Sequence, residues 1–301
     1  MFQINKVISK TLIFEFIKIH SKVHDIKTLC RVCKVSCSGY YKHLSTTPAR
    51  ISKNNEEEKL IAKMKKIHKN SDKAYGAIRI NLGLKEKGIN ISIKRTGQLM
   101  KKYDIKASSQ KKFKPQNLKC DNPAERNLIK EITPTAPNQI WVSDITYIDV
   151  IGYKPMYLSA IMDLYSRKII AHVFDDNMRA TLVEETLKIA ISRRKPDGKN
   201  LIFHSDKGSQ YRSTLVKNLL KSNNIQQSMC GTGNCYENAA MESFNSTLKK
   251  EALYPKKVGD AKTTKRRIFN FIEGFYNKER YHSSLGYLSP EKYELAYYKK
   301  S

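Results

Sequence analysis

Three acids stand where a sequence can place chemistry: Asp144 in the run Ile140-Trp-Val-Ser-Asp-Ile-Thr-Tyr-Ile148, Asp206 just past the apolar run Leu201-Ile-Phe203, and Glu242 in the stretch Asn238 to Glu251. The first run has the composition of a strand, the second closes a short strand, and the third is helical in pattern. Asp206 and Glu242 form a D-x35-E pair. Three converging carboxylates repel one another unless hard cations bridge them, and Mg²⁺ (or Mn²⁺) takes such oxygen ligands together with phosphate oxygens. The pattern points to two-metal phosphoryl transfer, with Asp144, Asp206 and Glu242 both catalytic and metal-ligating. Spacing alone does not decide this, because acids at strand ends and on helices are usually solvated surface groups.

The surrounding residues add much more. They read Trp141-Val-Ser-Asp-Ile-Thr-Tyr147, Leu158-Ser-Ala-Ile-Met-Asp-Leu-Tyr-Ser-Arg-Lys168, His204-Ser-Asp-Lys-Gly-Ser-Gln-Tyr211, Gly233-Asn-Cys-Tyr-Glu-Asn-Ala-Ala-Met-Glu-Ser-Phe244 and Tyr281-His-Ser-Ser-Leu-Gly-Tyr-Leu-Ser-Pro290. In this order they resemble the second-reading-frame transposases of the IS-three family of bacterial insertion sequences, relatives of retroviral integrases, from about Leu29 to Glu294. The resemblance implies an RNase H-like core, a divalent metal at Asp144, Asp206 and Glu242, and DNA strand transfer without a covalent enzyme intermediate. It also implies a first joining of the element's own ends into a circle. Two departures are mild: Glu237 stands where relatives often carry Asp, and Ser143 where Thr is common. The alternatives are a non-catalytic DNA-binding or regulatory second-frame product and a nuclease that hydrolyses without joining.

Charge agrees with a polyanionic partner. Lys and Arg number 56 against 28 Asp and Glu, a net charge of +28 over 301 residues, which suits double-stranded DNA, here the element's terminal inverted repeats and the target. Leu12 to Ile19 is interrupted by Glu15 and Lys18, too short and too charged to span a bilayer or form a signal core. A cytoplasmic, nucleoid-associated protein without membrane contact is the expectation. Six cysteines suit a reducing compartment rather than a disulfide framework. His20, His24, Cys30 and Cys33 imitate a zinc motif, but ordinary helix-face residues are the favoured reading.

The elements that must position these groups form an α/β chain, an RNase H-like mixed-sheet core preceded by an all-α helix-turn-helix region. Residues 1–50 read as a helical segment, with Thr46 to Asn55 a polar linker carrying Pro48. Residues 55–105 read as a helix-turn-helix unit with helices near Glu56–Lys69, Gly76–Lys87 and Ile93–Lys102, the last capped by Ser92. Lys94, Gln98 and Lys101 share one face of that third helix, flanked by Arg95, as a recognition helix would present them; a merely solvated basic face is the alternative. Residues 106–133 read as a basic linker, and 134–297 as the catalytic domain with a C-terminal extension. Within it, strands near Ile140–Val150, Tyr153–Asp163, Lys168–Phe174, Leu201–His204 and Ile225–Ser228 alternate with helices near Thr181–Arg194 and Ser213–Ser222.

Lys249 follows Glu242 at seven residues, nearly the same helical face, where it could clamp DNA phosphate; Asn245 shares that face, and the equally basic Lys250 keeps a solvent-facing role open. The loop Cys230-Gly-Thr-Gly-Asn-Cys235 could close over a phosphate backbone, and Gly208 is expected to permit a chain reversal after Asp206. Asn277, Arg280, His282, Ser284, Leu285, Gly286, Tyr287 and Pro290 form a C-terminal signature that helps with DNA ends or dimer contacts, or completes the fold. In the family an upstream first-frame protein supplies the main end-recognising helix-turn-helix and is joined by frameshift fusion. This chain reaches the catalytic-half motifs soon after Met1, so that partner, and a homo-oligomer on DNA, are expected.

Overall fold

The computed structural model describes residues 9–107, 127–197, 200–230, 238–254 and 259–299. Helices α1 (Lys10–His20) and α2 (Ile26–Val32) begin at Ser9 and Asp25, whose side chains accept from the backbone N–H groups of Leu12 and Thr28. Ile17, Leu29, Cys30 and Tyr40 form a small core there. Burial in that core pushes the Cys30 thiol up to about 11, the environment of a packing residue.

The linker expected at Thr46 to Asn55 is instead helical. Helix α3 runs unbroken from Cys37 to Asn70 and includes Pro48, so the expected first helix of the helix-turn-helix is its second half. Pro48 leaves the Leu44 carbonyl without its usual donor, and in the turn before it the Thr46 and Thr47 hydroxyls donate back to the carbonyls of Lys42 at 2.8 Å and His43 at 2.6 Å. Pro48 to Glu56 are all exposed. This is a polar rod bridging two separate cores.

The second of those cores packs α3 against α4 (Ala77–Lys85) and α5 (Ile93–Lys102) through Ile61, Met64, Ile80, Leu84 and Leu99. Gly88, at φ +73°, makes the turn between them, and Ser92 Oγ accepts from Arg95 N at 3.1 Å to start α5. The helix-turn-helix pattern thus has its apolar stripes and its punctuation in register.

Five strands, β1 (Ile140–Ile148), β2 (Met156–Asp163), β3 (Ile169–Asp175), β4 (Ile202–Ser205) and β5 (Gln226–Met229), form one sheet in the order β3-β2-β1-β4-β5. The first three are antiparallel, while β1, β4 and β5 run parallel. Period-two alternation divides β1 between two cores: Trp141 faces α6 (Ala180–Arg194) and α7 (Thr214–Ser222), whereas Ile140 and Val142 face α8 (Ala239–Leu248) and α9 (Ala261–Phe269). This is the integrase-like mixed sheet, covered on both faces and preceded by helices.

The C-terminal signature is woven into this fold. Asn277 Nδ2 donates to Ile169 O at 2.9 Å while its Oδ1 accepts from Ile169 N at 3.0 Å. Arg280 donates from Nε and Nη2 to the Glu251 carboxylate, both at 2.8 Å, and His282 is buried edge-on to Tyr276. Glu294, in α10 (Pro290–Tyr298), takes the fork of Arg194 and the hydroxyl of Ser166. Of the two readings left open for these residues, completion of the fold has direct contacts behind it.

Candidate active site

Parallel pairing of β1 with β4 aligns Trp141 with Phe203 and Val142 with His204. The ladder ends there, but two residues further on lie Asp144, still within β1, and Asp206, just past the end of β4, and the Asp206 charge acts on Asp144. Because Asp144 follows Val142 by two, it points to the α8 face of the sheet. There Asn245 Nδ2 donates to Asp144 Oδ2 at 2.7 Å, which ties α8 to the strand. Glu242 lies one turn earlier on α8, exposed, and its charge acts on Asp144. Burial, then the Asp206 charge, then Glu242 push Asp144 up to about 7, although the bond from Asn245 and the Ile145 amide pull the other way.

Asp206 is fixed locally. Gly208 N donates to its Oδ1 at 2.9 Å, and a Cβ built on Gly208 would stand 2.9 Å from that same oxygen. The glycine expected to permit chain reversal is needed here for room: left-handed φ occurs among the described glycines at 88, 152 and 286 instead. His204, two residues before, is fully buried with Nδ1 2.9 Å from Ser228 Oγ, a packing role.

Beneath the acids lies a polar network that the sequence did not reveal. Ser143 Oγ donates to Ala160 O at 3.1 Å, so the contact at 3.0 Å with Tyr211 has the tyrosine hydroxyl as donor. Asn238 Nδ2 donates to Ser143 O at 3.0 Å and closes the back of the site. Tyr211 is 1% exposed, and burial next to Asp144 and Asp206 keeps its hydroxyl protonated. Its only sequence signal was its position five residues after Asp206.

Lys249 is half-buried where α8 passes into a π-helical turn, Lys249–Leu253. Its ammonium sits 4.3 Å from the centroid of the Tyr147 ring. Burial lowers its pKa, while the charges of Asp149 and Asp144 oppose that. Lys94, Gln98 and Lys101 are exposed on α5, but Arg95 Nη2 is bound to Glu57 Oε2 at 2.6 Å, and Lys102 holds the other oxygen. Arg95 therefore braces α5 against α3 and is set apart from the other three. Asp163, fully buried, accepts from Asn138 N at 2.7 Å and Tyr165 N at 3.0 Å, as a turn-forming acid does. Much of the basic stretch 106–133 and the loop residues 231–237 lie outside the described residues.

Among the described residues no three His, Cys, Asp or Glu side chains close on one point tightly enough to hold an ion. Mg²⁺ usually takes one or two carboxylates and completes its octahedron with water and substrate phosphate. The all-oxygen donor set, and an Asp144 made hard to ionise by burial and then by its acidic neighbours, fit a divalent cation.

Fold and acids together define an integrase-type core. The family described as "Integrase core domain" matches residues 134–235, a second family of that description matches 223–290, and "HTH-like domain" matches 55–113. Among curated relatives, the chain is 35% identical over 274 residues to the uncharacterized 31 kDa protein of insertion element IS600 from Shigella sonnei, covering 90% of this chain and 98% of that protein. It is 32% identical over 283 residues to transposase InsF of insertion sequence IS3A from Escherichia coli K12, covering 93% and 98%. A solved HTLV-2 integrase catalytic core domain in complex with magnesium is similar at 17% identity and a TM-score of 0.40, covering 54% of this chain and 99% of that one. The chain belongs to the IS-three family of insertion-sequence transposases.

Proposed function

We propose that this chain is the catalytic protein of an insertion sequence, cutting and joining DNA at Asp144, Asp206 and Glu242. What supports the reading is that the charges of both Asp206 and Glu242 act on Asp144, which Asn245 ties to the helix carrying Glu242. Water oxygen bonds to a backbone phosphorus as the P–O3′ bond breaks and frees a 3′-hydroxyl. That hydroxyl then attacks a target phosphodiester and expels another 3′ oxygen, so phosphodiester bonds are exchanged without a covalent enzyme intermediate. Asp144, Asp206 and Glu242 are the residues that would hold the divalent cations, since the charges of the latter two act on Asp144. When bound, paired divalent cations activate the attacking oxygen and stabilise the leaving one. Mg²⁺ suits the donors, and Mn²⁺ accepts the same set.

The protein's own residues supply the rest. Asn245 and Gly208 aim carboxylate oxygens, Tyr211 and Ser143 hold the strand beneath, and Lys249 offers a cation for substrate phosphate. Lys94, Gln98 and Lys101 give α5 a face for duplex DNA. Two ends and a target must be held at once, which favours a homo-oligomer on DNA, and frameshift fusion to the upstream first-frame protein would add end selectivity. Among the described residues no helix is long and apolar enough to cross a membrane.

Labelled element ends incubated with Mg²⁺ test the reading. Wild-type protein should yield both cleaved and joined products, and Asp144→Ala, Asp206→Ala or Glu242→Ala neither, with DNA binding retained. Joining by Asp206→Ala would sink the assignment, and cleavage without joining by wild type would make the protein a nuclease.

A further inference from the structure

Beside the acids, β1 and the π-helical turn enclose a cavity of about 320 Å³ lined by Tyr147, Asp149, Ile151, Lys249, Leu253 and Tyr254. Its size is at the lower end of ordinary ligand pockets. Two tyrosines and an isoleucine in its wall remain about half exposed, Tyr147 at 51%, Tyr254 at 52% and Ile151 at 55%. Rings serving only as core would be covered. Lys249 makes no ion pair with a described residue, and its ammonium rests on the Tyr147 face at the boundary between this cavity and Asp144.

We propose that this cavity receives one unpaired nucleotide of the DNA substrate, its base against Tyr147 and Tyr254 and its phosphate at Lys249. This rests on the reading of the chain as a DNA-joining enzyme. Exposed aromatic rings next to one cation match the two parts of a nucleotide, since bases stack on aromatic rings regardless of sequence while Lys or Arg meets the backbone. Asp149, an exposed carboxylate in the same lining, repels phosphate, so the phosphate is drawn to Lys249 and the uncharged base to the rings. A paired base cannot reach the wall without leaving its stack, so the pocket takes a frayed or overhanging end. Holding that nucleotide would keep the strand beside the acids from re-pairing between cleavage and joining.

The test measures binding alone, with Ca²⁺ in place of Mg²⁺, on duplex ends that differ in one feature: fully paired, one unpaired nucleotide bearing a fluorescent adenine analogue, or the same position abasic. Wild-type protein should bind the unpaired end at least about fivefold more tightly than the abasic one and quench the analogue. Tyr147→Ala/Tyr254→Ala should lose both effects, binding unpaired and abasic ends equally, with a melting temperature near wild type that reports a folded protein. Tyr147→Phe/Tyr254→Phe should keep them. Equal binding of unpaired and abasic ends by wild type, or an unchanged double-alanine variant, would overturn the proposal. So would a variant that alters only self-association, since a second copy would then be the occupant. Failure of the acid assignment shows in the joining assay and leaves these binding results standing, whereas failure to bind any DNA removes the parent reading and the pocket together.

Discussion

Gly208 shows how little freedom the site allows at a single residue. Its N–H orients the Asp206 carboxylate, and a methyl group there would meet the same oxygen at 2.9 Å with Gln210 Oε1 at 3.0 Å on the other side. Something must shift, and the displaced group would be the carboxylate. Gly208→Ala should therefore lower cleavage and joining together by roughly 10–100-fold, as small misplacements of reacting groups do, with DNA affinity and melting temperature near wild type. Activity equal to wild type would show that Asp206 is oriented some other way. The acids themselves were legible from their flanking motifs. The bonds that aim them were not, because Asn245 reaches Asp144 and Tyr211 reaches Ser143 across long stretches of chain, and only strand register brings such pairs together.

At the scale of elements, two helices make contrasting predictions. On α5, Lys94 and Lys101 are free to meet phosphate, whereas Arg95 is bound to Glu57. Replacing Lys94 and Lys101 by Ala should flatten the log–log salt dependence of duplex binding by about 0.9 for each phosphate that is no longer neutralised. Arg95→Ala should leave that slope unchanged and lower the melting temperature by loosening α5 from α3. Salt titrations of the variants decide whether the helix face was read correctly. On the π-helical turn after α8, Glu251 receives Arg280 at 2.8 Å and Arg79 at 3.6 Å, so the helix carrying Glu242 is tied at its far end to both the C-terminal signature and α4. Glu251→Ala strands a buried guanidinium and should cost about 3–5 kcal/mol in urea unfolding. A loss below about 1 kcal/mol would mean that water already shares the pair. The strands, α5 and its cap followed from local pattern, whereas α3 did not. Polar residues and a proline have the composition of a linker, but packing at both ends of the helix outweighs that composition.

Across the whole molecule, the sequence is most readable where burial and motif coincide, in the sheet, and least where a contact joins distant segments. Tyr281 bonds Glu86 at 2.6 Å and stacks near Tyr75, so the helix-turn-helix unit is seated on the C-terminal signature, a relation no local pattern encodes. The exposed span of α3 has a different kind of consequence. An unbroken helix of 34 residues is about 50 Å long and fixes orientation as well as distance between the small core of α1 and α2 and the unit that carries α5. Each inserted residue would turn one end by about 100° relative to the other, and only whole turns would restore the original facing. If both ends address one duplex, affinity for element ends should rise and fall with the number of alanines inserted between Arg50 and Glu56, in step with the helical repeat. A smooth decline with length would indicate a mere tether. A periodic response would make this stretch the part of the protein that sets angular phase on DNA.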